Sequence, residues 1–384
     1  MKALVTSEGN TAVVKDIDLP EPNSKELRIK VHSIAVNPFD AYYVAHPPDK
    51  PGRVVGSDIA GTVEKTGEVV CGFRVGDRVA GLLQGATSGN PRPGGFAEYA
   101  LIEQDVTIRI PSNVSFDQAV TYPVSALTAA QALFTHLELS PPFPCPFSFE
   151  TPDTELPALL VHSGATAVGL FSISLARTIH TPAGKPFRIF ATASPKNHDK
   201  LLAMGVEGVF DYRSPTWPED LKKATNGGIS YAVDCISEGT STARISQAFV
   251  DHSRNGSKIA VVHKDGWDKE GVREDVMPLY FSVWSGLGHQ LIFNNEKVPG
   301  SPSSREFAFQ FYKYLSKCHP KDPTTFPIPA LPVRLMPGGL ERVVPDAFTL
   351  FGSEKISGRN PDPNESREWM KPISAEKLVY RIIE

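Results

Sequence analysis

Long apolar runs are missing from this 384-residue chain. No stretch of about 20 apolar residues occurs, so no segment reads as a membrane-spanning helix. The opening run, Met1-Lys-Ala-Leu-Val5, is too short for a secretory leader and leads directly into an alternating pattern, which makes the cytoplasm the expected compartment. Cysteine is scarce. Cys71, Cys145, Cys235 and Cys318 are scattered with no C-x-x-C pair, which argues against a disulfide framework and against a structural zinc site. The ten histidines show no H-x-x-x-H spacing, so they offer no paired metal ligands. Neither sign of charge is in excess: 39 Lys and Arg stand against 43 Asp and Glu. Without a basic surface, nucleic-acid binding is excluded as an expectation.

What is present is an ordinary globular composition, 41% hydrophobic and 21% charged, on a chain long enough for two domains. The 34 prolines cluster in 141–157, 295–302, 319–332 and 361–372, which read as loops. Residues 1–36 alternate apolar and polar, and short strand patterns with glycine turns recur to Ile102. This suggests a small, partly open β-barrel. Phe116–Val124 and Ser125–Phe134 read as helices. Residues 158–293 alternate strand and helix, the pattern of a doubly wound parallel sheet. Its strands are expected near 159–161, 187–192, 208–212, 230–236 and 258–263. The tail, 303–384, reads as helix, strand, helix and strand, packing back on the first domain. The expected division is 1–125 with 295–384, and 126–294.

The stretch around Gly164-Ala165-Thr166-Ala167-Val168-Gly169 carries the chemistry. A buried strand, Leu159-Leu-Val161, runs through a small-residue turn into a helix. Free backbone N–H groups and the positive helix end then face one spot, which suits a dinucleotide diphosphate. Gly164 and Gly169 fit the first and third glycines of G-x-G-x-x-G, with Thr166 where the second belongs. The second strand ends in Ala193-Ser194-Pro195-Lys196-Asn197, with no acidic residue to take a ribose 2′-OH. Ser194 and Lys196 offer a hydroxyl and an ammonium instead, which suit a 2′-phosphate, so the expected cofactor is NADPH. Tyr212, after the third strand, is expected on the adenosine phosphate side. Ligands of such sheets lie at the C-terminal strand ends, which points to Ile236 and Val261 as neighbours of the cofactor.

The succession Asn37-Pro-Phe-Asp40, Gly56-Ser-Asp-Ile-Ala-Gly61, Gly76-Asp-Arg-Val79, Gly95-Phe-Ala-Glu-Tyr99, Leu127-Thr-Ala-Ala-Gln-Ala-Leu133, Gly164–Gly169 and Phe210-Asp-Tyr212 resembles the medium-chain dehydrogenase/reductase superfamily in its zinc-free, quinone-reductase-like branch. Ala191-Thr-Ala-Ser-Pro-Lys-Asn197, the loop at 141–157 and Ser374-Ala-Glu-Lys-Leu-Val-Tyr380 look most like the fungal trans-acting enoyl reductases of polyketide biosynthesis. The resemblance implies an α/β fold, a GroES-like β-barrel domain with an inserted Rossmann domain.

The resemblance also assigns roles. Zinc-bearing relatives have a cysteine where this chain has Phe39 or Asp40, and Gly-His-Glu where it has Gly56-Ser57-Asp58, so no catalytic metal is expected. Phe39 and Asp40 are carried over as cofactor neighbours, and Asn37, Asp40 and Asp58 also read as hydrogen-bonding structural residues. Enoyl reductases of this kind often have a lysine at the position of Tyr42, which makes Tyr42 the first candidate acid, with Tyr43 behind it on the substrate side. Thr128 falls in a segment that passes the nicotinamide in relatives. Trp284, Ser285 and Gly286 fall in a pocket-lining segment that is also the expected sheet edge. Ile373 and Ser374 fall where the tail returns to the cofactor, with Ile356-Ser-Gly358 as a rival alignment because 359–371 looks inserted.

The implied activity is NADPH-dependent reduction of an α,β-unsaturated polyketide thioester on a synthase's carrier protein. Two alternatives stay open: reduction of free small-molecule quinones or enones, and a redox-silent protein that binds or cyclises a polyketide. The chain is expected to be a monomer or a homodimer.

Overall fold

The computed structural model describes residues 1–147, 157–181, 184–251, 257–293, 296–353, 359 and 365–382. The chain forms two compact units, Met1–Val124 with Trp284–Glu384, and Ser125–Val283. Residues 284–293, expected in the second unit, belong to the first. Ser88 and Asn90 hold them there: Ile292 N–H donates to Ser88 Oγ at 2.8 Å, and Asn90 Nδ2 donates to the Gln290 carbonyl at 3.1 Å.

The first unit begins with a hairpin, β1 (Lys2–Ser7) and β2 (Thr11–Asp16), turned by Gly9 and Asn10 with positive φ. Then come β3 (Glu26–Ala35), β4 (Asp58–Thr66), β5 (Arg78–Leu82), β6 (Tyr99–Glu103) and β7 (Thr107–Arg109). The alternation in β3 aims Leu27, Ile29 and Val31 inward, where they are fully buried. Between β3 and β4, Asn37 stays extended and Pro38 opens the helix Pro38–Ala45, since proline's missing N–H is no loss in a first turn. The expected helix at 116–124 shortens to Phe116–Ala119, capped by Ser115, and Pro123 starts a new helix, Pro123–Ala130, continued by wide turns at Gln131–His136.

The second unit holds β8 (Ala158–His162), β9 (Arg188–Thr192), β10 (Gly208–Phe210), β11 (Tyr231–Asp234), β12 (Ser257–Val261) and β13 (Val276–Tyr280). They form one sheet in the order β10-β9-β8-β11-β12-β13, with every pair parallel. Strand order reverses between β8 and β11, and both end at that switch point. Leu160, Phe190, Ile259 and Val261 pack with Trp217, Leu221 and Phe249 into one core, each large side chain contributing about 1.5–3 kcal/mol by burial. The strand β13 is not among those expected from the sequence; its Pro278 is tolerated because β13 is the edge. The edge is therefore not at Ser282–Gly288, where Val283–Leu287 coils into a tight helical turn.

The tail adds the hairpin β14 (Leu291–Phe293) and β15 (Glu296–Val298), the helix Pro302–Leu315, then β16 (Val333–Leu335) and β17 (Lys377–Arg381). The helix buries Phe307, Phe311, Tyr312 and Leu315, one stripe at helical spacing. The helix expected from Gly339 to about Leu350 is widened at Val343–Phe348, where Pro345 removes a backbone donor. As expected, the tail returns to the first unit: β17 pairs antiparallel with β3, giving the order β16-β17-β3-β4-β5-β7, with β6 also on β3. No helix among the described residues is long and apolar enough to cross a membrane. The proline-rich loop falls at 148–156, and the Ile356–Gly358 alignment wholly, outside the described residues; so does 360–364 of the expected insertion.

A charge cluster ties the tail to β6. Glu103 accepts from His289 Nε2 at 2.8 Å and pairs with Arg92 and Arg305, each at 2.9 Å. Burial alone would raise this carboxyl; His289, Arg305 and Arg92 together overcome that and hold it at about 2, against 4.5 for a free glutamate. A depressed carboxylate gives stability that is present above pH 4.5 and lost as pH falls towards 2. Glu103→Gln should therefore lower the melting temperature by several degrees at pH 7. The gap to wild type should close in melts run from pH 4.5 down; a gap independent of pH would contradict this account.

Candidate functional site

The corner after β8 is built by residues that look unremarkable one at a time. Ser163, the first residue beyond the strand, is left-handed, with φ of 60°. The turn expected at Gly164 is thus made one residue earlier. Gly164 has no positive φ and is glycine for space: a Cβ there would lie 3.0 Å from Ala191 Cβ. At Gly169 a Cβ would lie 2.7 Å from both Gly164 Cα and the Ser163 carbonyl, so helix and turn touch through glycine. Thr166, in the place of the middle glycine, is the N-cap of the helix Ala167–Ala176. Its Oγ1 accepts from Gly169 N–H and donates to the Ser163 carbonyl, both at 3.0 Å. The first-turn N–H groups of Ala167 and Val168 have no acceptor within the helix. Ala165, Thr166, Ala167 and Val168 are all partly exposed. The corner can therefore take a diphosphate on outward N–H groups at the positive helix end.

The neighbouring strand ends beside it. Ala193 N–H donates to the Phe210 carbonyl at 2.9 Å, so the turn at 194–197 runs next to the end of β10. Ser194 is partly exposed, Pro195 and Lys196 are exposed, and Asn197 turns inward to donate to Ser194 Oγ at 3.3 Å. Tyr212 is 41% exposed, so it is not a core aromatic. Arg213 lies over its ring at 5.5 Å and pairs with Asp211 at 2.9 Å, a second cation in this region that the sequence reading did not single out.

At the end of β11, Asp234 is fully buried and acts as a hub. It accepts from the N–H groups of Ile236 and Ser237 at 3.2 and 2.8 Å, and from the hydroxyls of Ser241 and Thr242. Ser237, another left-handed residue, accepts from Val262 N–H at 2.9 Å. Ile236 is partly exposed, whereas Val261 is a fully buried core residue. Thr128, on Pro123–Ala130, is 9% exposed.

In the first unit, four polar side chains are buried together. Lys377 of β17 lies 3.1 Å from Asp58 of β4 and also donates to Asn37 Oδ1. Asn37 Nδ2 donates to Asp58 at 2.9 Å, and Val124 N–H donates to it at 2.8 Å. Asp40 accepts the Asn37 N–H at 2.8 Å. At 1% exposure its carboxyl caps the helix from inside. Lys377 was missed although a lysine in an apolar strand is a legible signal. The helix these residues anchor presents Tyr42, 45% exposed and edge-on to Tyr43 at 5.2 Å. Phe39 and Tyr43 both pack against the buried Trp284, at 4.7 and 6.1 Å. Ser285 is partly exposed and Gly286 buried, while Ile373 and Ser374 are partly exposed just before β17. Among the described residues no three His, Cys, Asp or Glu side chains gather as a metal site.

The Alcohol dehydrogenase GroES-like domain family matches residues 23–112. The chain is similar to Trans-enoyl reductase ACTTS2 of Alternaria alternata, 30% identical over 358 residues, which is 93% of this chain and 96% of the relative. It is also similar to Trans-enoyl reductase grgB of a Penicillium species, 33% identical over 81% of this chain and 84% of the relative. Among solved structures, the CurK enoyl reductase shares the fold with a TM-score of 0.71 at 19% identity, over 100% of this chain and 99% of its own.

Burial pushes the Asp40 carboxyl up to about 8, with Asp58 adding to the effect and Asn37 and Lys377 opposing it. Its Oδ1 is buried without a partner. A raised folded value favours the folded state fully below the ordinary 3.8, and that advantage is lost as pH rises through 8. Asp40→Asn keeps an acceptor for the Asn37 N–H and never ionises. Urea unfolding should show wild-type stability declining between acid and mildly alkaline pH by several kcal/mol more than that of the variant, at about 1.4 kcal/mol for each pH unit crossed. Parallel curves would show that Asp40 does not titrate in this window.

Proposed function

Because this chain belongs to the medium-chain dehydrogenase/reductase superfamily, with fungal trans-enoyl reductases among its relatives, we propose that it is an NADPH-dependent, zinc-independent enoyl reductase. Its substrate in this reading is an α,β-unsaturated polyketide thioester on the carrier protein of a synthase. The observation that carries the reading is likeness to chains named trans-enoyl reductase at 30% identity along 93% of the length. Enoyl-reductase-like oxidoreductase chemistry and a nicotinamide cofactor follow from the family; the finer choices rest on particular residues.

The diphosphate of the cofactor would lie on the Ala167 and Val168 N–H groups. Thr166 keeps that helix end open by capping it with its side chain. Lys196 and Ser194, with Arg213 close by, provide cationic and hydroxyl partners for a 2′-phosphate, and the end of β9 provides no carboxylate for a bare ribose. Bound there, the nicotinamide supplies a hydride for the β carbon of the conjugated thioester. The protein's part is to stabilise the charge that collects on the carbonyl oxygen and to deliver a proton to the α carbon. Tyr42 is proposed for this, because its phenol is solvent-accessible and sits where a lysine is common in such enzymes. Phe39, Tyr43 and Trp284 form an aromatic wall behind it, suited to a conjugated acyl chain. Zinc independence is supported by the donors that engage Asp58 on both oxygens, Val124 N–H on one and Asn37 with Lys377 on the other.

Two outcomes are expected. In fluorescence titrations NADPH should bind at least about tenfold tighter than NADH, and Lys196→Ala should erase most of that difference, as loss of one charge-assisted contact does. Equal affinities in the wild type would remove the phosphate argument. In assays with a carrier-bound enoyl thioester, Tyr42→Phe should cut turnover by about 10²-fold while NADPH affinity holds. An unchanged rate takes Tyr42 out of the mechanism. No NADPH oxidation by wild type with either carrier-bound or free enones would favour a redox-silent binding role, for which the Tyr42 replacement is the motive.

A further inference from the structure

A left-handed serine at the start of the diphosphate corner needs something to hold it. Outside glycine, and to a lesser degree asparagine and aspartate, residues avoid φ near +60° because Cβ crowds the following carbonyl. Ser163 adopts φ of 60° at the point where β8 must turn towards its helix. Its N–H donates to Thr192 Oγ1 at 2.9 Å. Thr192 is the last residue of β9 and is fully buried. Its carbonyl accepts the next donor along, Gly164 N–H, also at 2.9 Å. One residue of the neighbouring strand therefore grips two successive N–H groups of the turn, one with its side chain and one with its backbone.

The threonine hydroxyl meets a histidine on its other side. Thr192 Oγ1 lies 2.8 Å from Nδ1 of His162, a 6% exposed ring packed against Trp217. In the Nε2–H tautomer of His162, Oγ1 donates its hydrogen to Nδ1 and keeps a lone pair aimed at the turn. Beyond Ser163 the chain of contacts continues: the Ser163 carbonyl accepts from Thr166 N–H and Oγ1, and Thr166 Oγ1 accepts from Gly169 N–H. His162, Thr192, Ser163, Thr166 and Gly169 form one connected series across strand, neighbouring strand and helix start.

We propose that Thr192, oriented by His162, is a positioning residue for the dinucleotide: its hydroxyl holds Ser163 in the left-handed turn that a glycine would adopt unaided, and so aims the first N–H groups of the helix at the diphosphate. Thr192 does not touch the cofactor. The inference rests on the reading that a phosphorylated dinucleotide binds at this corner.

The test is a titration of the full-length protein with NADPH, read by fluorescence, alongside thermal melts. Thr192→Val keeps the shape and removes the acceptor; NADPH affinity should fall about tenfold. Thr192→Ser should stay within about threefold of wild type, because the hydroxyl returns. The decisive variant is the double change Ser163→Gly with Thr192→Val. Glycine holds the turn without help, so affinity should recover most of the loss, which a threonine needed only for core packing would not allow. If T192V alone does not fold, a folded, NADPH-binding double variant supports the proposal and an unfolded or non-binding one overturns it. A folded T192V with wild-type affinity, or a loss that Ser163→Gly leaves in place, also overturns it. If wild type binds no NADPH at all, the cofactor reading falls first and this inference with it.

Discussion

Where β8 meets its helix, the backbone has to reverse within a few residues while its polar groups are only partly open to water. That constraint organises the second unit. A buried N–H or carbonyl without a partner costs about 1–3 kcal/mol, so each must be met by a neighbour. Thr192 meets two from β9, Thr166 meets two from within the turn, and Gly169 lets helix and turn close to backbone contact. The first-turn N–H groups of Ala167 and Val168 have no acceptor within the helix, and both residues are partly exposed. The proposed diphosphate site uses the first-turn donors that this packing leaves over.

The first unit solves a different problem in a related way. Asp58 is fully buried, and a buried carboxylate is costly unless a cation and further donors attend it. Lys377, Asn37 and Val124 N–H do so, drawing together the final strand, the loop before the Pro38–Ala45 helix and the strand β4. The helix that carries Tyr42 and Tyr43 is consequently fixed at its start by the same side chains that neutralise Asp58. Asp40 completes the arrangement as a cap, and burial rather than any ligand accounts for its raised carboxyl.

Much of the fold was legible along the chain because it depends on periodicity. The alternation of β3, the buried run of β8 and the stripe of Pro302–Leu315 each announce their element and their inward face. Errors gathered where a neighbour overrides the local signal. Pro278 sits in a strand because the strand is an edge. Residues 284–293 join the first unit because Ser88 and Asn90 bond to them from about 200 positions away, as the separations of 204 and 200 residues show. The corner was found through Gly164 and Gly169, yet the residue that turns it is Ser163, since nothing in a serine announces a left-handed backbone.

By itself the sequence determined the two kinds of sheet, the strand–turn–helix corner and the lack of a carboxylate at the end of β9, because spacing and residue type act locally. Only the tertiary structure decided which side chains hold that corner, which carboxyls are buried and what neutralises them. Thr192 with Ser163 and Lys377 with Asp58 are 29 and 319 residues apart by their numbering, and hydrogen bonds at such distances are written in the packing of strands, not in any window of the chain.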